Sequence, residues 1–280
     1  MKKQLPMSRS PIDFLYDSFI KKYSSLILLA GPPRSGTTWL NRELCNEVNM
    51  FPFLPECTLL TQQVELYSRT LNHCDPQRFL AYFGNKQNLL IYYRKNVARL
   101  LNQTASLHRK PKATTLVLKD PNLTLYLAEV KDLFPPHKLI VLVRDPRDVL
   151  ASMKNVIVRK QMKWDLQAEA NQLFSYYHSI ANLQQQEVQN CLFVRYEDIV
   201  AGTTAALQDF LQQPVLQNTS HNKDVNNVRE QLDEADPFFS ELYLQPTTSK
   251  KIGSYRDILS DDEVRHIEAV YSGVIKHWHY

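Results

Sequence analysis

The sequence predicts an α/β fold of three layers, with helices on both faces of a central parallel sheet that carries a phosphate-binding loop. Three observations lead there. Short apolar runs alternate with segments of helical spacing. Gly31 and Gly36 bracket Pro-Pro-Arg-Ser directly after the first apolar run, in a chain with only 6 glycines. Arg34, Lys119, Arg144 and Tyr196 lie just past the ends of four predicted strands, the edge where such sheets bind ligands.

The elements follow in order. Residues 26–30 form a first buried strand, and residues 38–48 a helix with Leu40, Leu44 and Val48 on one face. Residues 58–109 read as helical and polar-rich, broken at Pro76 and Gly84. Residues 116–119 are a second strand, and residues 123–133 an amphipathic helix ended by Pro135 and Pro136. Residues 138–143 give a third strand, continuously apolar as a strand buried on both faces requires. A helix starts at Pro146, with Asp145 as N-cap and Asp148 at the third position. Leu166, Ala170, Leu173, Tyr177 and Ile180 mark a long helix, residues 191–194 a fourth strand, and residues 261–278 a last helix capped by Ser260. Residues 1–280 read as one domain.

Composition bounds the function. A hydrophobic content of 44% supports an ordinary globular core. The balance of 33 basic against 29 acidic residues, net +4, suits an anionic ligand and is far from the basic excess of a nucleic-acid binder. The 4 cysteines show no C-x-x-C spacing, so neither a zinc cluster nor a disulfide framework is expected. The start has lysines without an apolar stretch behind them, and residues 26–30 are too short to span a membrane. A cytoplasmic protein without a membrane span is the expectation.

The loop chemistry is more specific. Residues 31–38 have the G-x-x-x-x-G-K-[ST] spacing with Thr37 in the place of the lysine. Loop N–H groups and the helix dipole there hold an anion. In nucleoside-triphosphate enzymes the lysine reaches the terminal phosphates and the neighbouring hydroxyl holds Mg²⁺. Here the cation sits inside the loop as Arg34, whose planar fork suits a phosphate or sulfonate. Arg144, at the mouth of a buried strand, needs an anionic partner. Ser152 follows 8 residues later on a face that looks back at the strand edge, so a second phosphate between the two satisfies both.

These motifs resemble the sulfotransferase family. The resemblance rests on Pro33-Arg34-Ser35-Gly36-Thr37-Thr38-Trp39 and on Arg144-Asp145-Pro146 with Ser152. Leu118-Lys119-Asp120-Pro121, Val194-Arg195-Tyr196-Glu197-Asp198 and Gly253-Ser254-Tyr255-Arg256 fall in family order, so it runs over roughly residues 25–275. It implies 3′-phosphoadenosine-5′-phosphosulfate (PAPS) as donor, an acceptor hydroxyl, and no metal. It implies further that Arg34, Ser35, Gly36, Thr37 and Thr38 hold the 5′-phosphosulfate and that Arg144 and Ser152 hold the 3′-phosphate. Trp39 stacks on adenine, Tyr196 approaches the adenosine, and Lys250 and Lys251 add cations to the 3′-phosphate.

The cytosolic small-molecule enzymes carry K-[ST]-H, whose histidine is the base. Here Lys119-Asp120-Pro121 puts proline in that place, which resembles the protein-tyrosine and several bacterial or Golgi-type enzymes that use a glutamate instead. Glu56, 22 residues after Arg34, occupies the position, in an apolar, proline-bounded loop that suits a general base. Lys119 and Arg34, with the Thr37 and Thr38 hydroxyls, then stabilise charge on the leaving phosphate. Residues 50–110, with Tyr67, Tyr82, Tyr92, Tyr93, Arg69, Arg78, Arg94 and Arg99, form a helical insertion facing the acceptor. A carbohydrate, a lipid and a peptidyl tyrosine all remain open as acceptors. The alternative readings are an ATP-dependent P-loop kinase and a non-catalytic nucleotide-binding protein on the same fold.

Overall fold

The computed structural model describes residues 25–108, 110–186, 188–216 and 251–280. Among them the strands are β1 Ser25–Ala30, β2 Thr115–Lys119, β3 Lys138–Val143 and β4 Cys191–Arg195. All pair in parallel, in the order β2-β1-β3-β4. The chain leaves β1 for a neighbour on one side and returns to β3 on the other. The crevice beyond the carboxyl ends of β1 and β3 is therefore the switch point where sheets of this kind bind ligands.

The helices are α1 Thr37–Cys45, α2 Thr58–His73, α3 Pro76–Phe83, α4 Lys86–Leu107, α5 Leu127–Leu133, α6 Pro146–Arg159, α7 Leu166–Gln184, α8 Tyr196–Val200, α9 Ala205–Leu211, α10 Asp261–Val270 and α11 Ser272–Trp278. Strand side chains alternate between two cores. Leu26, Leu28, Ala30, Leu116, Leu118, Val141 and Val143 face one side, with α2, α4, α5, α6 and α7 packed on them. Ile27, Leu29, Val117, Ile140 and Leu142 face the other, under Leu40 and Leu44 of α1 and Leu207 and Leu211 of α9. The three-layer α/β/α arrangement is thus present, with both faces of the sheet covered. No helix among the described residues is long and apolar enough to cross a membrane.

Several helices begin where cap chemistry puts them. Asp145 accepts from the Arg147 N–H with Pro146 in the first turn of α6, and Ser260 and Glu263 form a capping box on α10. Four expectations need correction. The first helix ends at Cys45 and leaves Val48 72% exposed, because the chain turns there to run beside β2. The 123–133 helix opens as a 3₁₀ turn, Pro121–Tyr126, set by the Asp120 carboxylate accepting from the Asn122 N–H. The last helix breaks at Tyr271, whose ring is buried and whose hydroxyl donates to the Ala170 carbonyl, pinning the chain to α7. Tyr67 and Tyr93 of the insertion are core residues packed edge to face, so the aromatic density there is partly structural.

Candidate active site

The loop between β1 and α1 is shaped by close approach. A Cβ on Gly31 would lie 2.4 Å from the Leu142 carbonyl oxygen, and one on Gly36 would lie 2.7 Å from the Tyr196 ring. Both glycines also have positive φ, at +150° and +98°. The Gly31 N–H donates to Thr124 Oγ1 at 2.8 Å, which ties the loop to the turn after β2. Arg34 is left-handed at φ 65°, a conformation that costs a non-glycine residue about 1–2 kcal/mol. Ser35 departs from its expected role: its hydroxyl and its N–H both bond the Pro32 carbonyl, so they close the loop rather than face a ligand.

Arg34 and Ser152 meet across the crevice, with Arg34 Nε donating to Ser152 Oγ at 3.2 Å. The Arg34 carbonyl accepts from Arg144 Nη1 at 3.0 Å, and the Lys251 carbonyl accepts from Nη2 at 2.8 Å. The Arg144 guanidinium carbon lies over the Tyr196 ring, 4.5 Å from its centre, and the Trp39 and Tyr196 rings meet in a T-shaped arrangement. Arg144 Nε is buried without a hydrogen-bond partner among the described residues, a donor that an anion would satisfy. Lys251 approaches Arg144 through its backbone, and Lys250 lies outside the described residues.

A second cluster forms at the end of β2. Residues 49–57 run along this strand: the Phe51 N–H bonds the Thr115 carbonyl, and the Cys57 N–H bonds the Lys119 carbonyl, both at 2.9 Å. That pairing carries Glu56 to Lys119. Lys119 Nζ donates to Glu56 Oε1 at 2.6 Å and to Thr38 Oγ1, at the start of α1, at 2.9 Å. Glu56 is not enclosed by apolar groups as its flanking residues suggested. Its side chain is 47% exposed and its partner Lys119 is 2% exposed, so one carboxylate oxygen is held while the group stays accessible. Asp120 is buried, and burial pushes its carboxyl above the usual carboxylate range. The Tyr176 hydroxyl donates to Asn122 Oδ1, two residues after Asp120, at 2.7 Å.

A sequence model of the sulfotransferase family matches residues 27–217, which contain both clusters apart from Lys251. The chain belongs to the sulfotransferase family. Two solved structures share its fold: the sulfotransferase domain from the curacin biosynthetic pathway and that from the Synechococcus PCC 7002 olefin synthase. The first has a TM-score of 0.55 at 19% identity, covering 89% of this chain and 97% of that one. The second has a TM-score of 0.53 at 19% identity, covering 96% and 98%. No curated protein matches the chain.

This sulfotransferase also recruits residues to which the motifs assigned no part in the site. Thr124 takes a loop N–H. The Tyr177 hydroxyl donates to the Arg144 carbonyl, and buried Glu197 accepts from the Asp145 N–H at 3.1 Å, so the turn after β3 is braced from behind. Burial raises the Glu197 carboxyl. Asp148 accepts from a segment more than 100 residues away, the Gly253 and Tyr255 N–H groups. Glu197 and Asp148 were visible in the sequence as charges a few residues past predicted strand ends. Their partners are backbone groups, which leave no pattern in the side chains.

Proposed function

We propose that the chain transfers a sulfonate group from PAPS to an acceptor hydroxyl by in-line displacement, with Glu56 as general base. The observation that carries this reading is the placement of Lys119. One buried ammonium touches both Thr38, at the start of α1 behind the anion loop, and Glu56, on the segment that runs beside β2. The donor supplies the sulfonate; the protein's residues orient it and move one proton. Glu56 Oε2 stays available to take the acceptor proton while Lys119 holds Oε1. Lys119, Arg34, Thr37 and Thr38 place fixed donors where charge grows on the leaving phosphate. Each group is worth roughly 10²–10³ in rate by comparison with single oxyanion donors.

The donor's two anions fit two cationic places. Arg34, Gly36, Thr37 and Thr38 would hold the 5′-phosphosulfate, and Arg144 with Ser152 the 3′-phosphate, for which the unpartnered Arg144 Nε is suited. Trp39 and Tyr196 would border the adenosine, and Lys251 the 3′ side. Residues 50–110 would face the acceptor through α2, which begins two residues after Glu56. A thermal-shift titration with adenosine 3′,5′-bisphosphate beside ATP–Mg²⁺ tests the donor reading. Stabilisation by the bisphosphate alone, lost in Arg144→Ala, is expected. Stabilisation by ATP–Mg²⁺ instead would restore the kinase, and binding without turnover the non-catalytic protein.

A further inference from the structure

Asp148 is 1% exposed, and its carboxylate is spent on a segment distant in the chain. Oδ2 accepts from the Gly253 N–H at 2.8 Å, and Oδ1 accepts from the Tyr255 N–H at 3.0 Å and the Ser254 hydroxyl at 3.4 Å. Oδ2 also stands 3.9 Å from Arg144 Nη2, the nitrogen that donates to the Lys251 carbonyl. A buried carboxylate is costly unless fully bonded, and this one is bonded by a turn and a guanidinium together. The result is a junction of three chain-distant pieces. The loop after β1 contributes the Arg34 carbonyl, the turn after β3 contributes Arg144 and Asp148, and residues 251–255 close the third side.

Arg144 has little freedom inside this junction. Both of its η nitrogens are committed to carbonyls, its face rests on Tyr196, and its Nε is buried without a partner. The group that keeps the third side in place is Asp148. We propose that Asp148 is a positioning residue of the donor site: it locks Arg144 and the Gly253–Tyr255 turn into one arrangement and so sets the preference for a nucleotide bearing a 3′-phosphate. This rests on the donor reading above.

The test is calorimetric titration of the full chain with adenosine 3′,5′-bisphosphate and with adenosine 5′-monophosphate. The wild type should prefer the bisphosphate. Asp148→Asn should lose about tenfold of that preference, the usual worth of a hydrogen-bonded charge, with affinity for the monophosphate nearly unchanged. In an Arg144→Ala background the same substitution should change the preference no further, because both act on one interaction. An Asp148→Asn protein that keeps the full preference, or loses both nucleotides equally, overturns the proposal. Gly253→Ala probes the turn while the Asp148 carboxylate itself is kept, should Asp148→Asn fail to fold. Gly253 has φ +74°, and an added Cβ meets only the Arg256 side chain, so the turn is strained at the surface. It should lower the preference in the same direction, and an unchanged preference there also overturns the proposal. A wild type with no preference for the bisphosphate sinks the donor reading itself, a result distinct from the failure of Asp148.

Discussion

The ammonium of Lys119 donates to Glu56 Oε1 across 2.6 Å, from a side chain 2% exposed to one 47% exposed. The pair is asymmetric, and so are the outcomes of breaking it. Lys119→Met should lower turnover about 10²–10³-fold, because it removes a fixed cation from the place where charge develops. It should leave stability nearly unchanged, since Glu56 remains in contact with water. Glu56→Ala should lower turnover as well, by removal of the base, but it leaves a buried ammonium with one hydroxyl partner and should cost about 1–3 kcal/mol in stability. Denaturant melts beside turnover assays separate the two. Equal stability losses would contradict the asymmetry.

Arg34, whose side chain is proposed to hold the 5′-phosphosulfate, has an unfavourable backbone. Its φ of 65° is tolerated because the loop is held at both ends, by the Thr124 bond to the Gly31 N–H and by Tyr196 against Gly36. Arg34→Ala and Arg34→Gly delete the same side chain and should lose transfer alike. The glycine variant should be more stable than the alanine variant by about 1 kcal/mol, the cost of a left-handed residue with a Cβ. Equal melting points for the two would mean that the loop stores no backbone strain.

The strand, loop and helix around Arg34 were legible because each part has its own signature. β1 is an unbroken apolar run, glycine is scarce elsewhere, and the first turns of α1 repeat with helical spacing. The three-layer fold followed from the same alternation. Glu56 was singled out by position, but its setting was not legible, because residues 49–57 reach β2 through backbone bonds that no side chain encodes. Ser35 misled for a related reason: its hydroxyl turns back to a carbonyl three residues earlier, a local choice that competes with ligand binding.

The glycines offer a graded comparison. Gly31 and Gly202 both have positive φ, but a Cβ on Gly31 meets the Leu142 carbonyl at 2.4 Å, whereas one on Gly202 meets nothing within 4 Å. Gly202→Ala should cost only the conformational term, about 1–2 kcal/mol. Gly31→Ala should cost more, because backbone of β3 must move, and it should weaken nucleotide binding as the loop shifts. Chemical denaturation midpoints order the two variants, and a Gly202→Ala loss as large as that of Gly31→Ala would refute the close-approach argument.

Two carboxyl groups with opposite shifts predict opposite pH responses. Burial raises Asp120 above its ordinary value, so the folded state holds its proton in the window just above about pH 4 where the unfolded chain has released it. Stability therefore falls as pH rises through that window, and Asp120→Asn should flatten the fall. At Glu263 burial also raises the carboxyl, but the Lys154 ammonium, the Ser260 N–H and the Trp164 N–H outweigh it and hold the group below its usual value. Its stabilisation is complete above about pH 4.3 and is lost as pH falls through the lowered folded value. Glu263→Gln should thus destabilise at neutral pH and approach the wild type in acid. Melting temperatures of the wild type and both variants, taken from pH 3 to pH 7 (about the span of both carboxyl windows), check the two signs together, and parallel profiles for the two variants would show that neither group is held as described.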